Sequence, residues 1–237
     1  MTRESKTVAI FKGQLFKSSG IISRQFTKPK QRLIKEMLYG VQASKDVKLS
    51  NTARTLKESQ SLIKTEDRLS GNLDDEDFTD GINNEVCRVA SPKITDDMVI
   101  AIDPGDIRKK YAKKMEFSGR VYDGSENEAG AGYPLCKVVA AGIESKKVIP
   151  LYCEAYPHSA SDVKSEDAQI FRAIDMILKH IGNKGMHAID RGGDRGVIYK
   201  KYLKENKPIR FVIRLKERDL IHRGRRKNCL DIAGCLP

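Results

Sequence analysis

The chain has 237 residues, which is enough for one large domain or two small ones. Its composition is 39% hydrophobic and 32% charged, and no apolar run approaches the roughly 18 residues that crossing a bilayer needs. We therefore expect a soluble, cytoplasmic protein with no membrane partner. The five scattered cysteines form no CxxC pair, which argues against both a disulfide framework and a zinc site.

A net charge of +12 points to a polyanionic partner, most often nucleic acid, although a solubilising surface is the alternative. Positive charge is concentrated in residues 1–72 and returns in "KPIRFVIRLKERDLIHRGRRKN" near the end of the sequence. Between them lies the acidic stretch "NLDDEDFTDGINNE", which is typical of a linker or an exposed loop. We place a linker at residues 74–94.

Residues 1–28 are expected to be a flexible segment, and residues 29–73 a small helical domain. Apolar residues recur at helical spacing in "KQRLIKEMLYGV", in "LSNTARTLKE" with Ser50 as its N-cap, and in "SQSLIKTEDRLSGNL", which Gly71 would close. Short basic helices with tight connections favour a helix-turn-helix-like DNA binder, although a bundle that binds nothing fits them as well. The candidate DNA contacts in this domain are Arg54, Lys57, Lys64 and Arg68.

Residues 95–237 are predicted to form an α/β domain. Several antiparallel-type strands come first, beginning at residues 99–102, and a helix, a strand, a second helix and a further strand follow. No GxxxxGK[ST] loop is present, so nucleotide hydrolysis is disfavoured, and the four histidines lack the spacing of metal ligands.

Two motifs of the same build carry the candidate chemistry. In "VIAIDPGDI" and "MHAIDRGGDRG", an apolar run ends in an aspartate, Asp103 or Asp190, which a glycine-containing turn and a second aspartate follow. If the two strands are neighbours, both carboxylates lie in one crevice and repel each other, unless a divalent cation binds between them. Carboxylates suit Mg²⁺ or Mn²⁺, and such a site can perform two-metal phosphodiester chemistry.

A purely structural interpretation of both motifs also exists. "DPGD" is a favourable turn sequence, and Asp106 could bond its own backbone in an Asx turn. Asp194 could be the N-cap of the helix that follows it.

Three stretches of the sequence resemble the DDE transposases of bacterial insertion sequences. "LSNTARTLKESQSLIKTEDRLSGNL" is similar to the DNA-binding helices of that family, and "MVIAIDPGDIRKKYAKKME" to its first catalytic strand. "AIDRGGDRGVIYKKYLKENKPIRFVIRLK" is similar to the second catalytic aspartate with the helix and strand after it. The resemblance covers the chain from about residue 30 onward.

The resemblance implies a ribonuclease H-like mixed sheet with flanking helices, preceded by the small all-α DNA-binding domain. It implies that Asp103 and Asp190 are the first two metal-binding catalytic residues, with Mg²⁺ or Mn²⁺ as cofactor. The implied partners are double-stranded DNA, both transposon terminal inverted repeats and target DNA, and a second copy in a synaptic homodimer at the bacterial nucleoid. Arg191 and Arg195 would contact phosphates.

Two features depart from the family pattern. Gly105 stands where the family usually has a hydroxyl residue, and the third acidic residue, in a Tyr-x2-Arg-x3-Glu pattern, is not found; Glu217 does not fit that pattern and is expected at the surface. We therefore expect a C-terminally truncated transposase that does not cleave DNA at a useful rate alone.

Two other functions remain open. The chain could be a non-catalytic remnant that binds transposon ends or regulates transposition. It could also be a helix-turn-helix regulator joined to an α/β sensor domain.

Overall fold

The structure is a computed structural model that describes residues 3–110, 115–124, 126–144, 146–157, 165–204 and 209–234. The chain divides into two compact units, Met1–Val86 and Cys87–Pro237. His158, one of the histidines considered above, lies outside the described residues. Of the helices in the described ranges, none combines the length and apolar composition needed to cross a bilayer.

The first unit is helical from near its start. The helices are α1 (Arg3–Ile22), α2 (Lys28–Ser44), α3 (Leu49–Leu56), α4 (Leu62–Asp74) and α5 (Thr79–Ala90), the last of which extends into the second unit. Two expectations therefore need correction. The segment expected to be flexible, 1–28, is mostly α1, and the expected linker, 74–94, is mostly α5 followed by one turn of 3-10 helix at Ser91–Lys93.

Helix α1 was not predicted because lysines interrupt its apolar runs. Short runs of this kind argue against a signal peptide, but they do not exclude a helix, which depends on the spacing of the apolar residues. The helix nevertheless packs along α2, with the Lys35 ammonium 4.0 Å from the centroid of the Phe16 ring. Such a cation–π contact contributes about 0.5–1 kcal/mol at an exposed site.

The three predicted helices, α2, α3 and α4, share a small core of Leu33, Ala53 and Leu69. α2 and α3 approach closely because Gly40 has no side chain, and a Cβ there would overlap the side chain of Thr52. Their ends differ from expectation. Lys48, rather than Ser50, is the N-cap of α3, and α4 runs through Gly71 to Asp74.

The second unit contains a six-stranded mixed sheet. Its strands are β1 (Met98–Arg108), β2 (Gly119–Asp123), β3 (Glu128–Gly142), β4 (Val148–Ala155), β5 (Met186–Ile189) and β6 (Arg210–Ile213). Their order is β2-β3-β1-β5-β6, and β4 also pairs with β3. β1 is antiparallel to β3 but parallel to β5, which is parallel to β6. The predicted α/β class is confirmed.

One face of this sheet is packed against helices α6 (Glu166–Ile181) and α7 (Gly196–Leu203). Ser165 caps α6 by accepting the Ala168 N–H, and two acidic residues in the first turn complement the helix dipole. The apolar stripe of α6 and the inward residues of β1 join one core, which includes Ile100, Ile102, Ile174 and Ile177. Alternate residues of β1 point away from this core and are less buried.

The "DPGD" stretch is not a turn, contrary to the expectation. β1 continues through it to Arg108 and pairs with β3 along its whole length. β5 pairs with β1 only as far as Ile102, so Pro104 lies where that side of β1 has no further partner. A proline is tolerated at such an edge because its missing N–H costs no ladder hydrogen bond.

The basic run "HRGRRKN", whose sequence fits either a solvated segment or a contact with a DNA backbone, forms part of a separate hairpin. β7 (Asp219–His222) pairs with β8 (Arg225–Asn228), and a short helix, α8 (Cys229–Ala233), follows. Glu217, which precedes the hairpin, is exposed as expected.

Candidate metal site and DNA-binding surface

Asp103 and Asp190 lie side by side where the pairing of β1 with β5 ends, a position that we call the sheet edge. The parallel register of β1 and β5 ends at the pair Ile102 and Ile189, and the two aspartates are the next residue of each chain segment. Neighbouring strands are about 4.7–4.9 Å apart, so the two backbones lie roughly 5 Å from each other. Ile102 is buried, so the alternation of side chains along β1 turns Asp103 toward the other face. Asp190 follows the last residue of β5, and its side chain is also exposed.

Asp103 is held by a lysine on the neighbouring strand. Lys137 is its register partner on β3, and the Lys137 Nζ lies 3.4 Å from Asp103 Oδ2. The Asp103 side chain is nevertheless 64% exposed, so its oxygens remain accessible to an incoming ligand. Nothing in the sequence pattern singled out Lys137, because the contact depends on the pairing of β1 with β3.

Asp190 begins the loop that follows β5. Its Oδ1 accepts the Gly192 N–H at 2.8 Å and so caps a turn of 3-10 helix at Arg191–Gly193. The side chain is exposed. This hydrogen bond fixes the direction of the carboxylate and leaves its second oxygen for a ligand.

Asp194, four residues further on, is instead a structural anchor. Its side chain is 1% exposed and lies 2.6 Å from Arg218 Nη2. It also accepts the Lys216 N–H at 2.8 Å and the Tyr199 hydroxyl at 3.1 Å. Burial, followed by this hydrogen bond, raises the pKa of Tyr199. The suggested N-cap role is wrong, because Arg195 is the N-cap of α7.

Asp106 joins two strands. Its Oδ2 accepts the backbone N–H of Tyr122 on β2 at 3.0 Å, so the suggested Asx turn is not formed. Asp106 is three residues beyond Asp103 on the same strand, and the alternation of side chains therefore turns it to the opposite face. The second aspartate of each motif thus accepts a backbone N–H from a distant part of the chain, and the first is exposed where the pairing of β1 with β5 ends.

The two predicted phosphate contacts of this unit differ. Arg191 is exposed directly beside Asp190. Arg195 is paired with Glu166 at 2.8 Å and with Asp167 at 2.7 Å, and its Nε donates to the Gly192 carbonyl at 2.7 Å. Its guanidinium is therefore engaged in fixing the loop to α6, which is a positioning role rather than an open phosphate contact.

Three of the four candidate DNA contacts of the helical unit are exposed, and the fourth is engaged in ion pairs. Arg54, Lys57 and Lys64 are exposed. Arg68 is half-buried and bridges Glu36 at 2.8 Å and Glu58 at 3.1 Å, and Arg32 pairs with the same two carboxylates. Arg68 therefore joins α2 to α4 and the α3–α4 connection, and it is not available in this structure for a phosphate.

The pKa of Glu58 reflects this network. The hydrogen bond from Gln60 has the largest effect and burial opposes it, but the hydrogen bond and charge of Arg68 add to the lowering, and the pKa of Glu58 falls to about 2. Glu58 is thus charged at any physiological pH and keeps the two arginines in place.

The donor set at the sheet edge fits a divalent cation. Two accessible carboxylates on neighbouring strands supply the oxygen ligands that Mg²⁺ and Mn²⁺ prefer, with water and phosphate oxygens filling the other positions. Within the described ranges, no third Asp, Glu, His or Cys joins them to form a larger metal-ligand cluster.

The structure is that of a mixed α/β protein with a carboxylate pair where the pairing of two parallel strands ends. No known protein-family model matches the chain, and no curated protein sequence matches it either.

Proposed function

We propose that this protein is a DNA transposase of an insertion sequence, which binds transposon ends and catalyses metal-dependent DNA strand cleavage and transfer. The observation that carries the proposal is that Asp103 and Asp190 directly follow the last paired residues of β1 and β5, two neighbouring parallel strands, and that both are exposed. The sequence resemblance assigns these same two residues to the catalytic site.

We further propose that the sheet is ribonuclease H-like. Support comes from its mixed architecture, in which β3 and β4 follow β1 in antiparallel order and β5 and β6 continue parallel to β1. Helices α6 and α7 form the connections that lead to the two parallel strands. The first aspartate then lies on an inner strand and the second on its neighbour.

Asp103 and Asp190 would hold the cation between them. A cation bound there lowers the pKa of an attacking water or 3′-hydroxyl and neutralises charge on the phosphate that reacts. Arg191, exposed beside Asp190, would bind a phosphate oxygen and orient the DNA strand. Asp194 and Arg195 hold the loop that carries Asp190, so they position the site without touching the substrate.

The helical unit would supply binding to transposon ends. The close α2–α3 approach at Gly40 and the exposed Arg54, Lys57 and Lys64 support a compact helix-turn-helix-like reader. Because this surface does not depend on the carboxylate pair, it also supports the second candidate function, a non-catalytic protein that binds transposon ends or regulates transposition.

Mn²⁺ binding, followed by electron paramagnetic resonance, tests the catalytic proposal. We expect the wild type to bind Mn²⁺, and Asp103→Asn and Asp190→Asn to weaken binding at least tenfold. Asp106→Asn is the matched control, because an asparagine oxygen can still accept the Tyr122 N–H. Equal Mn²⁺ affinity in all four proteins would refute the metal site.

A DNA assay separates the two candidate functions. Labelled inverted-repeat duplexes are incubated with the protein and Mn²⁺, and both binding and strand nicking are measured. The third acidic residue of the family pattern is not matched, so we expect binding with slow nicking that both asparagine variants abolish. If the protein binds the duplexes but shows no nicking, or nicking that persists in both asparagine variants, the non-catalytic function is favoured.

A further inference from the structure

The hairpin β7–β8 is a two-stranded sheet of its own. Its register pairs Asp219 with Asn228 and His222 with Arg225, and a two-residue turn, Arg223–Gly224, joins the strands. Both turn residues have positive φ, 50° and 74°, which matches the twist of a tight hairpin. The hairpin is therefore a regular ribbon with a defined tip.

No residue of this ribbon is fully buried, although Leu220, His222 and Asn228 are half-buried. Lys227 and Arg225 lie opposite Leu220 and His222 on one face, and Arg226 lies opposite Ile221 on the other. Ile221 is 75% exposed. An isolated two-stranded hairpin is only marginally stable in water. Because no side chain of β7 or β8 is fully buried, the ribbon contributes little to the packing of the fold.

The ribbon is strongly cationic. Residues 218–228 contain five Lys or Arg and one Asp. Arg226 pairs with Asp219 at 2.8 Å, and among the described residues Arg223, Arg225 and Lys227 have no ion-pair partner. Several like charges within one short ribbon repel each other, and a polyanion would relieve that repulsion.

The base of the hairpin is anchored to the loop that carries Asp190. Arg218, immediately before β7, is the ion-pair partner of buried Asp194, and the Cys229 N–H donates to the Arg218 carbonyl at 2.9 Å. Asn228 caps α8 by accepting the Leu230 N–H. The ribbon thus projects from a fixed base that is held by the same aspartate that holds the candidate metal loop.

We propose that the hairpin β7–β8 inserts into the major groove of duplex DNA, where Arg223, Arg225 and Lys227 bind phosphates. A two-stranded ribbon fits the B-DNA major groove, which is about 12 Å wide. Arg225 and Lys227 lie on one face, Arg223 lies at the tip, and Arg226, paired with Asp219, lies on the other face. This distribution suits a position between two phosphate walls, whereas an anionic membrane would favour cations on one face alone. The deep, narrow major groove of duplex RNA would not admit the ribbon.

The inference rests on the proposed function in one respect, since it takes the same DNA as partner. It adds a second contact surface, tied through Arg218 and Asp194 to the candidate catalytic edge. DNA held by the ribbon would therefore be restrained close to Asp190. Arg223, Arg225 and Lys227 are not among the six DNA contacts named individually from the sequence, but they belong to the run "HRGRRKN", which could follow a DNA backbone.

Fluorescence anisotropy with a labelled DNA duplex of arbitrary sequence tests the inference. The full chain is titrated at several salt concentrations in EDTA, so that metal binding plays no part. The variant R223Q/R225Q/K227Q is compared with K146Q/K147Q/K184Q, which removes the same charge at exposed positions near the opposite end of the sheet. Each lost phosphate contact lowers the slope of log K against log[salt] by about 0.9, so we expect a loss of about 2–3.

The matched control should keep its slope, and both variants should melt at the wild-type temperature. An unchanged slope in the hairpin variant, or an equal loss in the control, would overturn the proposal. R223Q alone, with an expected slope change of about 0.9, serves if the triple variant does not fold.

Competition with two other polyanions tests the choice of partner. Duplex RNA and phosphatidylserine vesicles should compete weakly with the labelled DNA for the wild type. Competition by either that equals unlabelled DNA, and that disappears in the hairpin variant, would overturn insertion into a DNA groove. Failure of the carboxylate pair to bind Mn²⁺ would leave these EDTA results unchanged, so the two proposals fail separately.

Discussion

Asp190 and Asp194 are four residues apart in one loop, yet their surroundings are opposite. Asp190 is exposed and accepts one N–H of its own loop, whereas Asp194 is buried and binds Arg218, Lys216 and Tyr199. Asp103 and Asp106 on β1 are both exposed, but Asp106 accepts a backbone N–H of β2 whereas Asp103 pairs with the Lys137 side chain. A carboxylate that is hydrogen-bonded to distant parts of the chain is held in place by them, whereas an exposed carboxylate without such bonds can bind a cation.

The strongest test of this comparison removes the buried anchor. Asp194→Ala would leave Arg218 and the Lys216 N–H without their acceptor, and breaking such a buried pair costs about 4 kcal/mol. Asp103→Ala should change stability by less than about 0.5 kcal/mol, because its side chain is exposed. Urea denaturation measures both, and equal losses would remove the distinction between the two aspartates.

The inward face of β5 gives a second test. His187 is fully buried, three residues before Asp190, and its Nδ1 lies 3.1 Å from the Tyr202 hydroxyl. Burial lowers the pKa of His187 from 6.5 to about 4. The unfolded chain therefore binds the proton more readily, and the stability present above pH 6.5 is lost as the pH falls toward 4, by up to about 3 kcal/mol.

His187→Phe should flatten that part of the stability curve, as measured by urea denaturation between pH 4 and pH 6.5. Replacement of half-buried His222 by phenylalanine is the control, because His222 lies on β7, outside the sheet that contains His187. A slope that survives in His187→Phe would show that another group titrates in this range.

Asp103 and Asp190 should contribute to the free energy of unfolding only when a metal ion is bound. At about 100 times its Kd, Mn²⁺ should add about 2.7 kcal/mol to the wild-type unfolding free energy. Asp103→Asn and Asp190→Asn should melt like the wild type in EDTA but gain little from Mn²⁺. Differential scanning fluorimetry with and without Mn²⁺ measures the effect, and a full metal-induced shift in either variant would contradict it.

The smallest effect concerns Lys137. A metal at Asp103 must displace its ammonium, and an exposed ion pair of this kind contributes about 0.5–1 kcal/mol. Lys137→Met should therefore tighten Mn²⁺ binding by about 2–5-fold. Lys137→Arg keeps the charge and should leave the affinity close to wild type, and weaker binding in the methionine variant would instead indicate that Lys137 assists the site.

Sequence alone determined the local pieces of this protein. The periodic apolar residues of α2, α4 and α6 and the apolar runs of β1 and β5 are short-range patterns, and each produced the predicted element. They also located Asp190 directly after β5, whereas Asp103, expected at the end of its strand, lies within β1, which continues to Arg108. The sequence did not find α1, whose apolar runs are interrupted by lysines, or the hairpin β7–β8, whose strands have no apolar face.

Tertiary structure decided which of these pieces meet. That β5 lies beside β1, that Lys137 faces Asp103, and that Arg68 and Arg195 are engaged by carboxylates all depend on contacts between residues distant in sequence. Local propensity cannot specify such contacts, because they form only when sheet pairing and helix packing bring the side chains together. For the same reason, the sequence could name four aspartates in two motifs, but only the folded chain distinguished the buried Asp194 from the accessible Asp190.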